Sequence, residues 1–138
     1  MAKRATASGN CLTGVCDPQR TQGLRAPAPK GDHLLVKLKG AGVFLAAEVV
    51  KQGGNSGATF VNLDIDGRNV VSIGFAAAEN AGLTQFNPFG LVLLKSAGLK
   101  NLTIGFPSPL RFRRSLKLSV TVNENGVAQI LANVVHGS

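Results

Sequence analysis

Hydrophobic and polar residues alternate along most of this chain with a period of two. In "HLLVKLKG", Leu34, Val36 and Leu38 fall on one side and Lys37 and Lys39 on the other, the pattern of a half-buried strand. "GVFLAAEVVK" is a second apolar run of strand length. "ATFVNLDIDGRNVVSIGF" sets Val61, Leu63 and Ile65 against Asn62, Asp64 and Asp66, then resumes with Val71, Ile73 and Phe75. The intervening Asp66-Gly67 predicts a hairpin, because a type I′ turn requires positive φ at both central residues. "FGLVLLKS" and "LKNLTIGF" predict two more strands. "LRFRRSLKLSVTV" leads into the most regular one, with Leu116, Leu118, Val120 and Val122 inward and Ser115, Lys117, Ser119 and Thr121 outward. After a turn at "NENG", "VAQILANVV" returns with Ala128, Ile130, Ala132 and Val134 on the core side. "AAAENAG", residues 76 to 82, offers one helical turn.

About eight short strands separated by Gly, Asn and Pro turns predict an all-β fold, an antiparallel β-sandwich or jelly-roll-like barrel. Residues 1–31 lack this periodicity. They mix Gly, Ser, Thr, Pro and basic residues, the composition of an extended arm, and "APAP" favours a semi-stiff polyproline II segment. The expected organisation is an arm over residues 1–31 and a β-sandwich domain over residues 32–138.

Composition adds two constraints. The chain has seven Phe and no Trp or Tyr, so small and β-branched side chains build a thin core that self-association would stabilise. Open sheet edges point the same way, towards a homo-oligomer, with a trimer expected. Fifteen Lys and Arg against seven Asp and Glu give a formal charge of +8, which favours an acidic partner.

The arm carries Lys3, Arg4, Arg20, Arg25 and Lys30. The densest basic cluster of the body is "RFRRSLK", with Arg111 and Arg113 expected on one strand face, Arg114 on the other and Lys117 further along. Guanidinium groups suit bidentate contacts with carboxylates or phosphates. Phe112 is expected in the core, which leaves no aromatic platform for base stacking and makes nucleic acid the weaker partner reading. No apolar run approaches the roughly 18 residues of a membrane helix. Nor does an apolar stretch follow the basic start as in a signal peptide. The expectation is a protein made in the host cytoplasm with no membrane partner.

Chemical motifs are few. "NLDIDG" begins like a calcium loop, but its twelfth position is Ile73 instead of a bidentate Glu, so Asp64 and Asp66 are expected to be solvated residues beside a turn. His33 and His136 stand at opposite ends of the body with no third ligand suggested, so no metal is expected. Nothing resembles G-x-S-x-G, G-x-G-x-x-G or a P-loop. Neither an enzyme nor a cofactor is expected. Cys11 and Cys16, in "CLTGVC", are the two cysteines of the chain. Their spacing is neither a C-x2-C redox centre nor half a four-cysteine zinc site. Cross-linking of neighbouring chains through the arm is the favoured reading, with a local ring or inert thiols as the alternatives.

A basic, Pro-containing arm followed by a compact all-β body without a catalytic set resembles the decoration or cement proteins of tailed bacteriophage heads. That resemblance, one of organisation over the whole chain, implies a structural virion protein. It would sit on the capsid surface and bridge subunits of the major capsid protein through its arm and β body. The cysteine pair departs from the usual pattern of these proteins and would add interchain disulfides. The alternatives are a nucleic-acid-binding or small jelly-roll coat protein, and a trimeric fibre-head or receptor-binding domain.

Overall fold

The computed structural model describes residues 15–83, 91–96 and 99–138. Lys3, Arg4 and Cys11 therefore lie outside the described residues. The elements are β1 (Gln19–Arg25), β2 (Gly31–Lys39), β3 (Gly42–Gly53), β4 (Thr59–Ile65), β5 (Arg68–Gly74), α1 (Phe75–Asn80), β6 (Leu91–Ser96), β7 (Leu99–Phe112), β8 (Ser115–Val122) and β9 (Val127–Gly137). They form two antiparallel sheets, in the orders β1-β9-β3-β7-β6 and β2-β8-β4-β5.

The pairing has a simple origin. Apart from β6, the strands match from the two ends of the chain inward: β1 with β9, β2 with β8, β3 with β7 and β4 with β5. This is one long hairpin whose tip is the Asp66-Gly67 turn, where both residues have positive φ. Rolling the hairpin up adds the β3–β9 and β4–β8 pairs and divides it into two sheets. The result is the double Greek key of a jelly roll. β6 extends the larger sheet beyond β7.

The core lies between the sheets. Leu116, Leu118, Val120 and Val122 of β8 meet Phe44, Ala47 and Val49 of β3 and Ile130, Ala132 and Val134 of β9, all buried. Each fully buried Val or Leu side chain contributes about 1.5–3 kcal/mol by leaving water.

Several sequence expectations need correction. Residues 19–25, assigned to the arm, are strand β1, paired with β9 through seven residues from Gln19 opposite His136 to Arg25 opposite Ile130. Arg20 and Arg25 are thus strand residues, and the folded body begins before residue 32. The amphipathic signal was weak because an edge strand obtains its order from hydrogen bonds to one neighbour. Its inward position Gly23 passes so close to the Leu35 carbonyl that a Cβ would collide with it. Leu34 is 56% exposed, not inward, since a register shift between Leu34 and Val36 reverses the facing of the residues before it. In β9, Val127 is buried and Ala128 exposed, next to a similar shift opposite Gln52 and Gly53. "LKNLTIGF" and "LRF" belong to one strand, β7, which slips register opposite Phe44 and Ala46 at residues 106–109.

One polar assembly is buried with the core. Lys51 is inward-facing and 1% exposed, and its Nζ lies 2.8 Å from Glu124 Oε2. Glu124, in the β8–β9 turn, also accepts hydrogen bonds from the Thr59 hydroxyl (2.6 Å) and the Ser56 and Gly57 amides (3.1 Å each). Lys51 Nζ stands 5.2 Å from the Phe75 ring centroid. Burial alone would raise the carboxyl pKa of Glu124. The Lys51 ammonium, the Thr59 hydroxyl and the two amides outweigh it and bring the value to about 2.

Replacing Glu124 with Gln strands a buried ammonium and should lower unfolding free energy by about 3–5 kcal/mol, read as a fall in the urea midpoint. Because the folded pKa is depressed, the carboxylate's contribution is fully present above 4.5 and is lost as the pH falls towards about 2. The wild type should therefore lose part of its stability in that window, and the Gln variant should lose less.

Candidate partner-binding surface

The basic cluster sits at one end of the sandwich. Arg111 is the penultimate residue of β7, Arg113 and Arg114 form the two-residue link to β8, and all three are exposed while Phe112 is 3% exposed. The expected split of the arginines between two strand faces does not apply, because Arg113 and Arg114 belong to a turn. Lys117 is further along β8, exposed on the outer face of the smaller sheet, with Lys37 and Asp64 as its cross-strand neighbours.

The turn is held from below by Asp66. Its carboxylate accepts hydrogen bonds from the amides of Arg113 (3.0 Å), Arg114 (2.7 Å) and Ser115 (3.2 Å). The Arg114 guanidinium donates to the Asp66 backbone carbonyl at 3.1 Å, and the Arg114 carbonyl accepts from the Gly40 amide at 2.8 Å. The Arg113 and Arg114 amides, then that of Ser115 and the Arg114 charge, hold the Asp66 carboxyl below the ordinary value despite a contrary effect of burial. Asp66 is thus a capping residue, not merely a solvated one beside a turn. Asp64 likewise accepts from Asn69 Nδ2 at 2.9 Å.

Two shallow grooves flank this cap. One, of about 600 Å³, is lined by Ile65, Asp66, Arg68, Val70, Arg113 and Arg114. The other, of about 420 Å³, runs from Ala41 and Gly42 past Arg111, Phe112 and Arg113 to Ser138. Arg68, which the sequence reading did not single out, joins the cluster through the β4–β5 turn. Ser138 brings the other end of the described chain here too, because its backbone exchanges hydrogen bonds of 2.7 and 2.8 Å with Cys16. Gly137 lacks room for a side chain beneath Val15 and the Cys16 carbonyl. Residues 15 and 16 therefore pack at the arginine end.

Other candidate residues lie elsewhere. Arg20 lines a shallow depression on the outer face of the larger sheet with Glu48, Thr103, Asn133 and Val135. There Glu48 accepts from Asn101 and Asn133 at 3.0 and 2.9 Å. Arg25 and Lys30 are exposed near the opposite end of β1. His33 Nε2 bonds the Pro29 carbonyl and His136 Nε2 bonds the Thr21 hydroxyl, each at 2.7 Å. Burial lowers the pKa of His136. Among the described residues, no three His, Cys, Asp or Glu side chains come together as a metal site.

No family model and no curated protein sequence matches the chain. A chain from the acid-stable capsid structure of Helicobacter pylori bacteriophage KHP30 aligns over 88% of this chain and 87% of its own, with TM-score 0.52 and 13% identity. The two chains are therefore of nearly equal length and share the β-sandwich fold. A chain from infectious bursal disease virus, Gx strain, is 16% identical at TM-score 0.38 over 90% of this chain and 34% of that one. The acetyl xylan esterase Est2A of Butyrivibrio proteoclasticus is 11% identical at TM-score 0.36 over 88% and 32%. Neither of these two bears on the fold at such scores.

Substituting Asp66 with Ala removes the acceptor for three turn amides, so hydrogen exchange at Arg113, Arg114 and Ser115 should accelerate while central β8 amides stay protected. In the wild type this protection should persist at pH 5 and fade as the pH falls below 3.8, the ordinary aspartate value. Unchanged exchange in the variant would show that the turn holds without the carboxylate.

Proposed function

We propose that the protein is a non-enzymatic structural component of a virion that decorates a bacteriophage-type capsid, binding capsid subunits through its arm and its arginine end. The observation that carries this reading is the match, over 88% of this chain, to a chain of similar length from a phage capsid structure. The convergence of the arm's root with the exposed arginines supports it. Several weak contacts made together give firm attachment, because each holds the others at high effective concentration.

Self-association belongs to the same proposal. β1 is an edge strand of the larger sheet, with Leu24 59% exposed and Val135, on β9 opposite Arg20, 36% exposed. An open edge beside apolar side chains is a pairing surface that a closed trimer would cover. A second reading, binding of packaged nucleic acid, draws on the charge of +8 and predicts salt-dependent affinity for DNA or RNA.

The cysteines have two outcomes. Cys16 has no free thiol, and its backbone is fixed to Ser138. A bond to Cys11 of the same chain would stiffen the arm's root, whereas a bond to a neighbour would cross-link the shell.

Particles purified from the native source should carry the protein on their outer surface, visible by cryo-electron microscopy. Its presence only with released genome would support the second reading instead. Light scattering should give a trimer, and a monomer at high concentration would remove that part of the proposal. On a non-reducing gel of thiol-blocked particles, a monomer band at 14.3 kDa would rule out the cross-link and favour the ring. A ladder that collapses on reduction would establish the cross-link between chains.

A further inference from the structure

Of the arginines at this end of the sandwich, Arg114 is engaged with Asp66. Among the described residues, no carboxylate forms an ion pair with Arg68, Arg111 or Arg113. Each of the seven acidic residues has a partner of its own. Glu124 is buried and Asp66 caps the turn. Glu48, Asp32 and Asp64 accept from neutral side chains on the outer sheet faces. Glu79 faces Lys100, and Asp17 has a partner of its own. A second copy of this chain would bring its own excess of positive charge, +8 in all, so an acidic molecule of another kind is the better match.

The linings of the grooves indicate which molecule. Arg68, Arg113 and Arg114 surround Ile65 and Val70, Val70 being 45% exposed. On the other side of the cap, Arg111 and Arg113 flank Ala41, Gly42 and Phe112. Arginine around an apolar floor is the composition of a protein–protein interface, while nucleic-acid interfaces are more polar and use exposed aromatics for single strands. Phe112 is the aromatic of this end, and its ring is buried. Asp66 fixes the backbone that carries Arg113 and Arg114, so the two guanidinium groups start from an ordered base.

We infer that the two grooves beside Asp66 form a docking site for an acidic, partly apolar segment of another protein. Glu or Asp side chains take the forks of Arg68, Arg113 and Arg114, and an adjacent aliphatic residue rests on Ile65 and Val70. This rests on the capsid reading, and names the chemistry of the partner surface: carboxylate beside hydrocarbon.

The test uses the full chain and fluorescence anisotropy at physiological ionic strength. The probes are a labelled peptide rich in Glu and Leu, its counterpart with Gln in place of Glu, and duplex DNA of matched charge. The Glu–Leu peptide should bind more tightly than either of the other two. Changing Arg68, Arg113 and Arg114 together to Ser should weaken it roughly tenfold or more, with a thermal melt reporting that the fold is retained. A triple Lys variant keeps the charge without the fork and should give an intermediate loss. DNA binding tighter than the peptide, equal binding of the Gln peptide, or no loss in either variant overturns the site. Particle association separates this outcome from the reading beneath it. If the wild type and the Ser variant both remain on particles, the site is wrong and the capsid role stands. If the wild type does not associate with particles, the capsid role is wrong and the peptide titration still decides the site.

Discussion

The Lys51–Glu124 pair is the interaction on which this sandwich turns. Removing two charges from water costs several kcal/mol per ion, so an isolated buried pair is a poor stabiliser. Here the carboxylate has four donors, and the ammonium lies beside the Phe75 ring. The participants come from different layers: Lys51 from β3 in the larger sheet, Thr59 from β4 in the smaller, and Glu124 from the turn that connects them. Satisfying all of them requires one register at that end, whereas Val and Leu alone would pack almost as well in another. Gly54 belongs to the same constraint, since a Cβ there would strike the Glu124 carboxylate.

The two ends of the molecule use the same chemistry to different effect. At one end, a carboxylate reaching from a turn is buried and holds the β3–β4 loop closed. At the other, the Asp66 carboxylate reaches from the hairpin tip and is partly exposed. It satisfies backbone amides rather than a side-chain cation, so most of the surrounding guanidinium charge remains available. Burial decides whether such a cap mainly adds stability or mainly prepares a surface.

The parts of this structure that could be read from the sequence are those set by local periodicity. The alternation from Ser115 to Val122 and the Asp66-Gly67 turn both encode their geometry within a few residues. Leu34 was misplaced because one extra residue reverses the facing of a strand, and nothing in its composition announces the bulge. β1 escaped because "QRTQGLR" carries one large apolar residue, and its order comes from β9, over one hundred positions away. Lys51 looked like the polar end of an apolar strand, and Glu124 like an ordinary turn residue. Their partnership spans 73 positions, and only the closed fold brings it into being. The clustering of Arg111, Arg113 and Arg114 was legible, but the place of Arg68 among them depends on how the hairpin tip folds back.

The nesting of the strands also sets an order for biosynthesis. A ribosome releases β1 first and β9 last, yet these two are neighbours in the finished sheet. While the rest of the chain is being made, β4 and β5 can already pair at the tip, but β1 has nothing to pair with. Pairing over such separations is slow, and an unpaired strand exposes its hydrogen-bonding edge to other chains. On a crowded polysome the nearest available β9 belongs to the chain ahead. Strand β1 is thus the part of this topology that waits longest for its partner.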